Sequence, residues 1–184
     1  SPAASGLTVV NLPLVSTTEI TQLCPGQVSR CSGGAVPGRE QVIFRANVTL
    51  PPLPGNAFYT LANNSNARNA VITTLSNPGS NSWYISATLN PSLTVRNSSP
   101  TFLNPPVAFV CANQPVTISP GASDPNGDGL SYSLVNCKQF VTSDVSYLPG
   151  FSGTTPLTTT GPMVLNPFTG ALTFTPSVPQ VGVV

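Results

Sequence analysis

Gln41 to Leu50 reads QVIFRANVTL, and its alternation decides the fold class. Val42, Phe44, Ala46, Val48 and Leu50 are apolar at every second position, with Gln41, Arg45, Asn47 and Thr49 between them. A period of two is the signature of a half-buried strand. Ser82 to Asn90 repeats it with Trp83, Ile85, Ala87 and Leu89, and Leu130, Tyr132 and Leu134 repeat it more briefly. Further strands are predicted at Leu7 to Val15, Asn69 to Leu75, Val107 to Cys111, Pro115 to Ser119, Met163 to Leu165 and Ala171 to Thr175. Helical spacing is always interrupted by Pro or Gly, and Asn66 to Leu75 is the only candidate for a turn or two of helix. Many short strands divided by turn residues predict an all-β chain built of antiparallel sandwiches.

The chain has 184 residues, a length that suits two sandwiches of about 100 residues each. RNSSPTFLNPP, from Arg96 to Pro106, interrupts the strand pattern with three prolines, so the boundary is placed near Ser99. The expected domains are residues 1–99 and 100–184. QVGVV at 180–184 reads as a strand that is completed outside the chain or by a neighbouring copy, which makes the second domain truncated at its C-terminus. A Pro-rich joint holds neighbouring domains end to end, as in a stalk.

Composition narrows the function. There is no His, one Lys, five Arg and five acidic residues, so the groups that perform most acid–base catalysis are missing. Charged residues make up 6% of the chain against a usual roughly 25%, and the net charge is +1. No basic field exists to hold phosphate backbones, which argues against nucleic acid. With 21 Pro and 15 Gly the chain resembles a disordered one, but its richness in Val, Ile and Thr restores the reading of strands joined by long loops. Cys24, Cys31, Cys111 and Cys137 form an even set, which fits an oxidising, extracellular compartment. No apolar run approaches the roughly 20 residues that span a bilayer, so no membrane insertion is expected. With no signal peptide and a start at Ser1, the chain reads as a mature or excised piece.

Four groups of residues carry the chemistry worth weighing. Asp124-Pro125-Asn126-Gly127-Asp128-Gly129 places oxygen side chains at Asp124, Asn126 and Asp128 with glycines that permit a tight turn. It reads either as a calcium site at a sandwich edge or as an Asx-rich turn entering the next strand. Cys24 with Cys31, and Cys111 with Cys137, are expected to form disulfides; zinc is the competing reading, without the His or CxxC spacing that zinc usually takes. Glu19, Glu40 and Asp144 are the carboxylates available to a glycosidase, yet nothing in their spacing pairs them. Phe58, Tyr59, Trp83, Tyr84 and Tyr147 are aromatic candidates for stacking on sugars, and core packing explains Trp83 equally well.

Three stretches carry a family resemblance: RNAVITTLSNPGSNSWYISATLN at 68–90, NSSPTFLNPPVAFVCANQPVTISPGASDPNGDGLSYSLV at 97–135 and VLNPFTGALTFTP at 164–176. They resemble repeats of the very large surface proteins of gliding bacteria that end in a type IX secretion, gliding-motility-associated domain. The last two also resemble cadherin-like and immunoglobulin-like (Ig-like) adhesin repeats, in which a DPDGD turn precedes an LTYSL strand. The family pattern often has a cysteine pair where Asn66 and Ala67 stand here. The resemblance implies two tandem Ig-like or cadherin-like β-sandwiches, export across the outer membrane and a bacterial cell-surface location. It implies no defined ligand.

The function expected from the sequence is a non-enzymatic structural or adhesive module. Its partners are neighbouring domains or copies of itself, in a filament or sheath, with surface polysaccharide as a further partner. The alternative is a carbohydrate-binding module of a secreted protein.

Overall fold

Among the described residues the alternating stretches 41–44 and 83–89 form strands, and almost nothing forms a helix. The computed structural model describes residues 9–21, 23, 25–36, 38–55, 57–91 and 97–183. Among them the strands are β1 (Leu14–Glu19), β2 (Glu40–Phe44), β3 (Tyr59–Ser65), β4 (Trp83–Leu89), β5 (Thr101–Phe102), β6 (Val116–Ile118), β7 (Ala122–Ser123), β8 (Lys138–Phe140), β9 (Ser143–Asp144), β10 (Val164–Leu165) and β11 (Leu172–Phe174). Two short 3₁₀ turns, Arg30–Ser32 and Pro78–Ser80, are the helical segments among the described residues. All pairings between these strands are antiparallel. No helix among the described residues is long and apolar enough to cross a membrane.

Two units are distinguished, Ser1–Pro52 and Leu53–Val184. The boundary expected near Ser99 therefore falls inside the second unit, where β4 pairs with β8 through Tyr84 and Lys138 from either side of it.

In the first unit β1 and β2 form a two-stranded ribbon, Leu14 opposite Phe44 and Glu19 opposite Glu40, with a bulge between Leu14 and Ser16. The strand predicted to run through Leu50 stops at Phe44. Arg45 donates its amide to the Pro13 carbonyl at 3.1 Å, and Pro13 has no amide to return, so the ladder ends there. The same proline starts β1 at Leu14, later than the predicted Leu7 to Val15; residues 1–8 lie outside the described residues.

Among the described residues the second unit contains three sheets. The largest has the order β3-β4-β8-β9, a second β10-β11-β6, and a third pairs β5 with β7. β3 and β4 pair over seven residues, from Tyr59 opposite Leu89 to Ser65 opposite Trp83. Opposed residues share a face, so Tyr59, Leu61, Trp83, Ile85, Ala87 and Leu89 line one side, while Thr60, Asn64, Tyr84, Ser86 and Thr88 line the other. In the second sheet Leu172 and Phe174 are buried, and Thr117 and Thr173 meet through their hydroxyls at 2.8 Å. Leu75 and Val145 complete the buried apolar set. Thr74, also fully buried, accepts the Leu148 amide at its carbonyl, beside a bridge from Leu75 to Tyr147.

Predicted strands at 82–90, 115–119, 163–165 and 171–175 correspond to β4, β6, β10 and β11. Those at 69–75, 107–111 and 130–134 are not strands. Tyr132 instead donates its amide to the Pro167 carbonyl at 2.9 Å. The C-terminal segment is likewise not a strand, but Val181 is tied to Thr73. Its carbonyl accepts the Thr73 amide at 2.9 Å and its amide donates to Thr73 Oγ1 at 3.2 Å. Val184 lies outside the described residues.

Candidate functional site

β7 ends at Ser123, and the chain turns immediately through Asp124 to Gly129. Asp124 Oδ1 accepts two backbone amides, from Asn126 at 2.8 Å and Asp128 at 3.2 Å, and the Asp124 carbonyl accepts the Gly127 amide at 3.2 Å. Gly127 supplies the left-handed conformation, φ +82°, that closes the turn. Asn126 Oδ1 accepts the Ser98 amide at 2.7 Å. The residues expected as calcium ligands, Asp124, Asn126 and Asp128, thus lie together in one turn closed by its own hydrogen bonds. Oδ1 of Asp124 and Oδ1 of Asn126 are turned onto backbone N–H groups, which is the arrangement of an Asx turn. No group of three or more acidic, thiol or imidazole side chains able to hold a metal occurs among the described residues.

What the turn does is form one wall of an open groove of about 420 Å³, lined by Asp124, Asp128, Leu130, Tyr132, Phe168 and Thr169 among others. The opposite wall is the turn between β10 and β11, where Asn166 Oδ1 accepts the Phe168 and Thr169 amides at 2.9 and 3.1 Å. That turn leaves Phe168 80% exposed. A side chain at Gly170 would meet the Tyr132 ring at 2.7 Å, so the glycine lets this ring lie against the turn. Phe168, Tyr132 and Leu130 were absent from the sequence-level candidates as site residues. Asn166, two positions ahead of an exposed aromatic, was the available signal.

The cysteines do not form the expected bridge in the second unit. Cys111 and Cys137 are both free thiols, the first exposed and the second half-buried. Asn113, two residues after Cys111, donates to the Pro176 carbonyl at 2.6 Å, whereas Cys137 accepts the Val145 amide at 2.9 Å and donates to the Tyr147 hydroxyl at 3.1 Å. Cys31 is an exposed free thiol, and Cys24 lies outside the described residues.

The remaining candidates occupy structural positions. Glu19 stands opposite Glu40 at the end of the β1–β2 ribbon, a like-charge pairing. Its Oε1 accepts the Ser29 hydroxyl and its Oε2 the Ser32 hydroxyl, the latter at 2.6 Å. The Ser29 bond first, then those of Ser32 and Thr21, hold its pKa below the usual carboxylate value. A general acid needs the opposite shift. Asp144 is bound to Lys138 Nζ at 2.6 Å and to Asn136, and its pKa is likewise lowered, by Lys138 before Asn136. Burial pushes Tyr147 up to about 12, and its hydroxyl is committed to Cys137. Tyr84 is half-buried on β4, opposite Asn64 and next to Lys138 in register. Phe58 is exposed beside β3, and Tyr59 and Trp83 lie on the apolar face of that hairpin.

Comparisons with protein-family models, curated proteins and solved structures found no match.

Proposed function

We propose that this chain is a non-enzymatic structural module that associates with copies of itself, as a segment of an exported bacterial surface protein. The observation that carries the reading is the β3–β4 hairpin. β3 is a seven-residue strand, YTLANNS, at the edge of its sheet and without a single charge or proline. Natural sheets protect long edges with lysine, proline or bulges, because exposed backbone groups recruit another strand. The same hairpin presents an apolar face on which Leu61, Ile85 and Leu89 remain 50%, 60% and 39% exposed. Pairing β3 with β3 of a second copy would extend the sheet across a two-fold axis and continue that face between copies. The low charge fraction, 6%, leaves little repulsion to oppose such contact.

Export, the cell surface and tandem Ig-like or cadherin-like sandwiches belong to this proposal through the resemblance of residues 68–90, 97–135 and 164–176 to repeats of type IX-secreted surface proteins.

Sedimentation velocity over a concentration series tests the reading. Association should increase with concentration, and Leu61→Lys, which puts a charge on the edge, should leave the protein monomeric and folded. A wild-type protein that stays monomeric throughout, or a Leu61→Lys variant that associates like wild type, would overturn it.

A further inference from the structure

We infer that the groove between the Asp124–Gly129 turn and the Asn166–Gly170 turn receives an arginine side chain from a second copy of the chain. The inference rests on the self-association reading and adds a second contact, on a different surface, that is charge-bearing where the β3 edge is not. Charge is scarce in this protein: 11 of its 184 residues are Lys, Arg, Asp or Glu, counted as 6 plus 5. Two of the five acids, Asp124 and Asp128, line this one groove together, and among the described residues no Lys or Arg lines it. Among the described residues the single ion pair is Lys138 with Asp144, so neither groove carboxylate is paired with a described Lys or Arg. Beside the carboxylates stand two aromatic rings, Tyr132 and the outward Phe168.

That set of groups matches a guanidinium. Its planar fork takes carboxylate oxygens in pairs, its face stacks on aromatic rings, and it is weakly enough hydrated to leave water for such a site. Asp124 has spent Oδ1 on two amides of its own turn, which fixes the carboxylate and leaves its second oxygen for a ligand. A hard cation is served less well, because Asn126 Oδ1 is committed to the Ser98 amide and rings offer it nothing.

The chain also carries the complementary groups. Arg30, in the 3₁₀ turn after Ser29, and Arg45, just after β2, are exposed and form no ion pair among the described residues. A groove on one unit filled by an arginine from the other unit of a neighbour is a heterologous, head-to-tail contact. Where β3 pairing alone closes into dimers, this contact would join dimers into longer chains.

The test uses the full chain, compared as wild type, as Asp124→Asn/Asp128→Asn and as Arg30→Gln/Arg45→Gln, by sedimentation velocity at low and high salt. Asn at position 124 keeps the oxygen that holds the turn. Wild type should form species larger than dimers whose growth falls with salt. Both variants should stop at dimers, with the step beyond the dimer weakened at least about tenfold. An equal mixture of the two variants should restore growth, since one retains the arginines and the other the carboxylates. Growth beyond dimers by the Asp variant alone, or no restoration in the mixture, overturns the groove contact and leaves β3 pairing standing. Growth in the Asp variant that a neutral oligosaccharide abolishes overturns it in favour of a sugar site. Loss of the dimer itself in Leu61→Lys, with no loss from the groove variants, identifies the edge as the sole contact and overturns the groove as well.

Discussion

Glu19 shows how one carboxylate can organise a loop in a protein nearly without charge. It receives hydroxyls from Ser29 and Ser32, ten and thirteen residues ahead, and Ser29 is fully buried. Because its folded pKa lies below the ordinary 4.5, the carboxylate stabilises the fold fully above about pH 4.5, and that contribution is lost as pH falls through the depressed value. Asp144, lowered by Lys138 and Asn136, has the same sign. We therefore expect the unfolding midpoint to fall as pH drops below 4.5 and Glu19→Gln to flatten part of that decline; a midpoint profile identical in the variant would assign the acid sensitivity elsewhere. Thr74 is the converse case: its hydroxyl is buried with no hydrogen-bond partner among the described residues. Thr74→Val keeps the shape and removes the unpaired group, so a gain on the order of 1 kcal/mol is expected in denaturant unfolding, against the loss usual for core substitutions. Thiol reactivity offers a third check at this scale. In native protein Cys31 and Cys111 should be alkylated faster than the half-buried Cys137.

At the scale of elements, the sequence was legible where alternation coincided with an available partner. Trp83 to Leu89 alternates cleanly and forms β4, and Leu172 to Phe174 forms β11. Ala46, Val48 and Leu50 alternate equally well but are not in a strand, because the partner strand is cut off at Pro13, and no local pattern encodes where a distant partner ends. β3 was missed for the opposite reason. YTLANNS has two adjacent asparagines, poor strand formers, and becomes a strand by pairing along the whole of β4, with the Asn64 amide donating to the Trp83 and Gln139 carbonyls at 3.3 and 2.9 Å. In the groove, the Asp124 turn was readable from its residues. The aromatic wall opposite came from a segment about forty residues away, and that proximity is a property of the fold. A Gly170→Ala substitution tests this element directly. It forces a side chain onto Tyr132 at a φ of +69°, and should lower the unfolding midpoint and displace the ring that lines the groove. Unchanged tyrosine fluorescence and stability would show that the turn adapts.

For the molecule as a whole, the division after Pro52 differs from the Pro-rich joint near Ser99 because sheet pairing crosses the latter. Trypsin should cut after Arg45 early, in the stretch that follows β2, and leave residues from 46 onward as a folded fragment. Rapid loss of that fragment to smaller pieces would contradict the second unit as described. The C-terminal segment gives a further consequence. Val181 bonds to Thr73 across 108 residues of chain, so one contact of the second unit joins two widely separated parts of it. A ribosome delivers those residues in sequence, and this ring cannot be closed before Val181 has been made. The contact is thereby a late one, on a schedule that leaves the stretch from Thr73 onward open while it emerges.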